Sequence, residues 1–315
     1  MQTVIIISLF TLISFIWGTT WIAMKIATDT IPPLFATGFR FLLSFPILLI
    51  IAYFKKVPLF FPKGQKKFQF LISIFYFFLP FSLMLYAGSI LNSVLASIIF
   101  SNMPVIVLIS SIILLKEKIY FLRKLGIFTS MLSLILLLGK ELYLCHYNVL
   151  IGMVALIGAM ICHAIIYIQC KKKSYRVSII TFNTAPSLFS GLLLITISWF
   201  IESPCIKKFS FVSIISVFYL STFVSIGAIL MYFYLQKYIN NFYASIVFLI
   251  IPIISEILEF FLYGKNISLY QHLFFIPTIV SVFLTLLPES FFKNNIFLFK
   301  KLFDFINNCK KFYIG

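Results

Sequence analysis

YAGSILNSVLASIIFSNMPVIVLISSIIL, residues 86–114, and YLQKYINNFYASIVFLIIPIISEILEFFL, residues 234–262, are the two stretches on which the fold turns. Laid over each other without a gap they agree at 10 of 29 positions. Matches of Ile, Leu or Phe come easily between two apolar segments. Tyr86/Tyr234, Asn92/Asn240, Ala96/Ala244, Ser97/Ser245 and Pro104/Pro252 do not, because these residue types are scarce in such segments. The stretches lie 148 residues apart, so the chain carries an internal repeat of nearly half its length.

The surroundings of the repeat set its solvent. Of 315 residues 62% are hydrophobic and only 10% are charged, against about 25% charged in soluble proteins; the mean hydropathy is +1.11. A soluble core cannot bury that much apolar surface, so the composition is that of a chain dissolved in lipid. A helix crosses the hydrocarbon with about twenty apolar residues. Runs of that kind fall at 4–26, 34–54, 68–87, 93–115, 121–138, 150–170, 178–200, 210–234, 242–262 and 270–287. The expectation is an all-α integral membrane protein of ten transmembrane helices. The first run has no basic segment before it and no small-residue cleavage site after it, so it reads as a retained helix.

The net charge of +17 is spread through the connections, not gathered on one face as a nucleic-acid binder requires. With the N-terminus placed in the cytoplasm, cytoplasmic connections and the tail hold 19 Lys and Arg, and the opposite side holds 4. That bias predicts both termini inside, and opposite-side labelling at Lys56 and Lys208. The tail at 289–315 mixes Phe, Ile and Leu with Lys and reads as an interfacial basic segment.

The repeat displaces the chain by five spans. Five is odd, so equivalent helices run in opposite directions. The expectation is two inverted five-helix repeats, 1–140 and 141–288, an arrangement that places a substrate site between the halves. No GxxxxGK(S/T), HExxH, GxSxG or paired Cys/His set occurs, so ATP-driven transport and hydrolysis find no residues and no cofactor or metal is expected. The five cysteines are scattered and read as apolar filler.

FIWGTTWIAMKIA (15–27), PPLFATGFRFLLS (32–44) and the long stretch from Ala96 to Gly139, with Pro104, Glu117 and Gly126, resemble the drug/metabolite transporter superfamily, EamA-type. The second half departs from the pattern, with Lys265 standing at the counterpart of Glu117. The resemblance implies ten helices and secondary transport of a small metabolite, amino acids or derivatives favoured, in a bacterial inner membrane. A lipid or lipid-precursor flippase of the same fold and a membrane-embedded transferase are the alternatives. The transferase would need acidic or His residues clustered at one interface, and the loops carry almost none.

Polar groups at membrane depth mark the candidate pathway. Glu256 and Glu259, spaced i, i+3, share one helical face, and two close carboxylates resist joint ionisation, which suits proton binding. Lys25 can pair with Asp29 at i, i+4 or snorkel to the interface. Arg40 lies inside the second span and requires a partner or an anionic substrate. Trp17 and Trp21 share a face beside Gly18 and can wall a cavity, or simply pack. Pro104 and Pro252 break the fourth and ninth spans, and Asn102 can line the path beside them. Asn183 and His163 can line the path too, and each of these three, Asn102 included, is more often a satisfied interhelical hydrogen-bonder. The partners expected are a small-molecule substrate, the bilayer and protons as a candidate coupling ion; the sequence sets no oligomeric state.

Overall fold

A computed structural model describes residues 2–116, 121–144, 146–173, 177–235, 238–239, 244, 246–264 and 269–286. Glu117, Lys265, Asn240, Ser245 and the tail fall outside the described residues. The described residues form helices and connections, with no strand among them. Seven helices are long and apolar enough to cross a membrane: α1 (Gln2–Thr28), α2 (Pro33–Lys55), α3 (Lys66–Ile90), α4 (Ser93–Leu115), α6 (Tyr147–Lys173, apolar over Tyr147–Ile166), α7 (Ile179–Ile201) and α8 (Phe211–Leu235). Between and after them come α5 (Phe121–Tyr143), α9 (Val247–Tyr263) and α10 (Leu269–Leu286). Of these, α9 is 17 residues long and α10 has an apolar stretch over Ile276–Thr285.

Local signals explain the ends. The turn between α3 and α4 needs only Leu91 and Asn92, because Asn92 is extended and its Oδ1 accepts the Leu95 N–H at 2.7 Å. Ser178 and Ser210 cap α7 and α8 by accepting the Thr181 and Ser213 N–H groups at 3.1 Å. α9 stops at Gly264 in the left-handed region, φ 61.

Direction follows from which residues meet. α2 crosses α7 antiparallel: Gly38 meets Gly191, while Leu34 and Phe35 meet Glu202. α5 and α10 are antiparallel too, with Gly126 against Ser281 and Thr285 and Ser133 bonded to Thr278 at 3.0 Å. α1 packs parallel to α9, Gly18 against Ile254, and antiparallel to α8, Ile26 bonded to Ser213. α6 packs on α3 and α4. Small residues set these distances. A Cβ on Gly18 would stand 2.6 Å from Ile254, and one on Gly38 only 3.0 Å from the Gly191 carbonyl.

Around this bundle large apolar side chains face outward, among them Ile7, Phe15, Ile50, Phe54, Phe128, Phe200 and Phe211. In water such a belt would be an aggregation surface; against acyl chains it needs no cover.

Two helices depart from regular winding. Ser73–Phe78 in α3 and Leu220–Ala228 in α8 are π segments. In α3 Pro80 follows the widened stretch and has no N–H to offer Tyr76, and the Leu79 N–H donates to Ile74 O, five residues back. In α8 Gly227, a weak helix former, sits within the widened stretch. α4 is interrupted at Ser101–Asn102, just before Met103–Leu115 resumes with Pro104 in its first turn.

Candidate substrate cavity

The two tryptophans of α1 stand one helical turn apart and each recruits a partner from another helix. Trp17 stacks on Phe248 of α9, with centroids 5.2 Å apart and planes 22° from parallel, and lies 5.1 Å from Tyr232 of α8. Trp21, buried, meets Phe100 of α4 edge-on at 5.4 Å. Beyond them lies a cavity of about 740 Å³. It extends from the tryptophans towards the end of the bundle that holds the α2–α3 connection. Phe61 of that connection lines it there, together with Arg123 at the start of α5, Val177 and Ile179 at the start of α7, and Thr285 near the end of α10.

Arg40 enters the cavity from α2. It is 3% exposed, its Nε donates to Ser225 Oγ at 2.8 Å, and its guanidinium carbon sits 5.0 Å from the centre of the Phe81 ring. The two π segments furnish its neighbourhood: Ser225 belongs to one and Tyr76 to the other. His163 of α6 is held edge-on between Tyr76 at 4.6 Å and Phe81 at 5.2 Å. Asn183 also lines the space, with its amide donating to Ile179 O. Among the described residues no carboxylate lines the cavity.

The carboxylates whose side chains are described gather elsewhere: Asp29, Glu202, Glu256 and Glu259 all lie towards the end that holds the α1–α2 turn. Glu202, at the close of α7, accepts the Leu34 N–H at 2.9 Å through one oxygen. Its other oxygen accepts the Phe35 N–H at 3.1 Å and the Ser198 hydroxyl at 2.6 Å. It thereby caps a different helix, α2, whose own Pro32 offers no capping side chain. Nearby, the Ser210 N–H donates to Thr30 Oγ1 at 2.9 Å, the Ser213 hydroxyl donates to Ile26 O at 2.8 Å, and Phe35 packs on Phe209.

The expected pathway residues thus separate into two groups. Trp17, Trp21, Arg40 and Pro104 line the cavity; Lys25, Asn102, Pro252, Glu256 and Glu259 do not. Lys25 pairs with Glu259 at 3.5 Å and covers the Tyr263 ring at 5.0 Å, a partner that differs from both sequence readings, pairing with Asp29 and snorkelling to the interface. The reason is packing: α1 and α9 lie parallel with Gly18 at the crossing, so their last turns meet. Glu259 is 3% exposed and neither oxygen has a hydrogen bond, whereas Glu256 is half-buried. Asn102 is fully satisfied inside α4 and α5, its amide donating to Ile98 O at 3.0 Å and its oxygen accepting from Ser130. Pro252 sits in α9 one turn before Ser255, whose hydroxyl donates to Gly18 O at 2.8 Å.

The sequence reading missed Tyr76, Ser225, Tyr232, Phe248 and Glu202. Only Glu202 carried a signal, as a lone carboxylate just past an apolar run.

A family model described as "EamA-like transporter family" matches residues 4–139 and again 150–287. A protein of Buchnera aphidicola subsp. Schizaphis graminum named "Uncharacterized transporter" is 55% identical over 294 residues, spanning 93% of this chain and 98% of that one. The Salmonella typhimurium "Protein PagO" is 48% identical over 290 residues, 92% of this chain and 95% of that one. Among solved structures, one crystal structure superposes with a TM-score of 0.61 over 90% of this chain and 96% of its own, at 14% identity. At that identity the likeness concerns the fold.

Proposed function

We propose, from the premise that the chain belongs to the EamA-like transporter family and is a multi-pass membrane transporter, that it carries a small organic metabolite across the bacterial inner membrane by alternating access. Amino acids or their derivatives are the favoured cargo. The observation that carries this reading is the cavity of about 740 Å³ beside Trp17, Trp21 and Arg40, large enough for such a molecule.

Ten membrane-crossing helices in two inverted halves, 1–140 and 141–288, account for the packing. Moving five helices along exchanges the α1–α8 contact with α6–α3 and the α1–α9 contact with α6–α4. The same shift returns α2–α7 and α5–α10 to themselves. The π segments obey it as well, since residue 73 moved by 148 becomes 221, inside the second one. Head-to-tail halves related by a two-fold axis would produce this pattern.

The basic connections, with Lys55, Lys56, Lys63 and Lys66 at the end towards which the cavity extends, support cytoplasmic termini and an inward-facing state. Pro104, Pro252 and Asn102 would serve as the flexible points of α4 and α9. Lys25, Glu256 and Glu259 would form the opposite gate, in which Glu259 is buried and paired with Lys25 at 3.5 Å, and protons are the candidate coupling ion.

The test is reconstitution into proteoliposomes with a panel of water-soluble metabolites, with and without a pH gradient. Concentrative uptake of a water-soluble compound supports the reading. Movement of lipid precursors alone would favour the flippase of the same fold, which the apolar walls would also accommodate. Proton coupling through the gate predicts that Glu256→Gln and Glu259→Gln lose gradient dependence; retention of the wild-type dependence would discard it.

A further inference from the structure

Arg40 is a permanent cation buried in the wall of the cavity, which Arg123 also lines at the end that holds the α2–α3 connection. Arg40 is 3% exposed, and its guanidinium has five N–H donors and no way to discharge itself. One donor reaches the neutral Ser225 hydroxyl at 2.8 Å, and the Phe81 face at 5.0 Å contributes a cation–π contact. Among the described residues no carboxylate lies within ion-pairing distance of it, and none lines the cavity it enters. Burying a charge without its counter-charge is costly. A residue kept in that condition, with its remaining donors at the edge of a solvent-sized space, is complete only when an anion arrives.

We propose that Arg40 is the anion-binding residue of the cavity, and that the cargo is an organic carboxylate with a flat apolar body and no compensating positive charge. The inference rests on the transport reading above and narrows its substrate class. The planar guanidinium offers the fork geometry that a carboxylate accepts with both oxygens. Trp17, Tyr76, Phe81, Phe182 and Tyr232 supply apolar, ring-shaped walls for the rest of the molecule. Among the described residues the wall offers an ammonium no anionic partner, while Arg40 would repel it, so a cationic amine is disfavoured and a deaminated or acylated amino acid outranks its parent.

The experiment compares three probes of one shape on the purified full-length protein in detergent: phenylacetate, phenylacetamide and phenethylamine. Phenylacetate is expected to raise the melting temperature in a saturable way, and the neutral and cationic probes are not. Arg40→Gln is expected to abolish that stabilisation, with about a tenfold or greater loss of affinity, and Arg40→Lys to keep part of it. Without ligand, Arg40→Gln is expected to melt at or above the wild-type temperature, since it removes an uncompensated charge; an Arg held for architecture would give a lower one. Equal stabilisation by phenethylamine, or phenylacetate binding undiminished in Arg40→Gln, overturns the assignment. So does stabilisation of the wild type by inorganic phosphate with none by phenylacetate, because a phosphate site would then be present. The two readings fail separately. Liposomes that accumulate amines leave transport standing and remove the anion, whereas phenylacetate binding with no transport of any compound removes the carrier and keeps the site.

Discussion

Trp17 and Trp21 differ by one turn but carry different burdens, and their substitution should separate binding from folding. Trp21 is 2% exposed and packs on Phe100, so Trp21→Ala should lower the melting temperature clearly, a large-to-small change costing about 3–5 kcal/mol in a well-packed site. Trp17 is partly open to the cavity and stacks on Phe248. Trp17→Ala should instead raise KM for uptake about tenfold, the size of one lost aromatic contact, with a smaller effect on melting. If Trp17→Ala melted lower than Trp21→Ala and transported with unchanged KM, the two roles would be reversed. Local patterning could place both rings on one face of α1. It could not say which is the more open to the space, because that depends on what the neighbouring helices present opposite them.

At the scale of elements, the crossing of α2 and α7 and the cap on α2 are the features to perturb. The Gly38–Gly191 contact leaves no room for a side chain: a Cβ on Gly38 would stand 2.7 Å from Ile195 Cγ1 and 3.0 Å from backbone. Gly38→Ala should cost about 1–3 kcal/mol of overpacking, read as a lower melting temperature in detergent. Glu202 closes the α1–α2 end by holding the first turn of α2 with both oxygens. Glu202→Gln keeps an acceptor but gives up the charge at a helix N-terminus, worth about 0.3–1 kcal/mol. The expected outcome is a shift towards the oppositely open state, measured as faster thiol labelling of a Thr30→Cys reporter in the Glu202→Gln background. Unchanged labelling would mean that Glu202 braces the helix without gating it. The turn at Leu91–Asn92 was legible, since Asn at an N-cap acts through its own chain three residues on. Glu202 as a cap for a helix 168 positions earlier was not.

For the whole molecule, orientation is the property with the most direct test. Lys63 and Lys208 are exposed, in the α2–α3 and α7–α8 connections respectively. In a Cys205→Ser background, which removes the exposed native thiol of the α7–α8 connection, Lys63→Cys and Lys208→Cys in intact cells should differ, only the second reacting with an impermeant maleimide before lysis. Labelling of both, or of neither, would contradict cytoplasmic termini. Composition, the apolar runs, the basic connections and the 148-residue repeat were readable from the chain alone, because each is a statement about residues and the solvent they face or about residues near one another. Which polar groups meet was not. Lys25 chose Glu259, far along the chain, over Asp29 four residues away; Arg40 found a serine in a π segment; the glutamate pair lay off the cavity it was expected to line. Hydrophobicity and charge bias act on each segment separately and can be summed along a sequence. Partnership between segments depends on helix crossings that glycine contacts set, and so it exists only once the helices have packed.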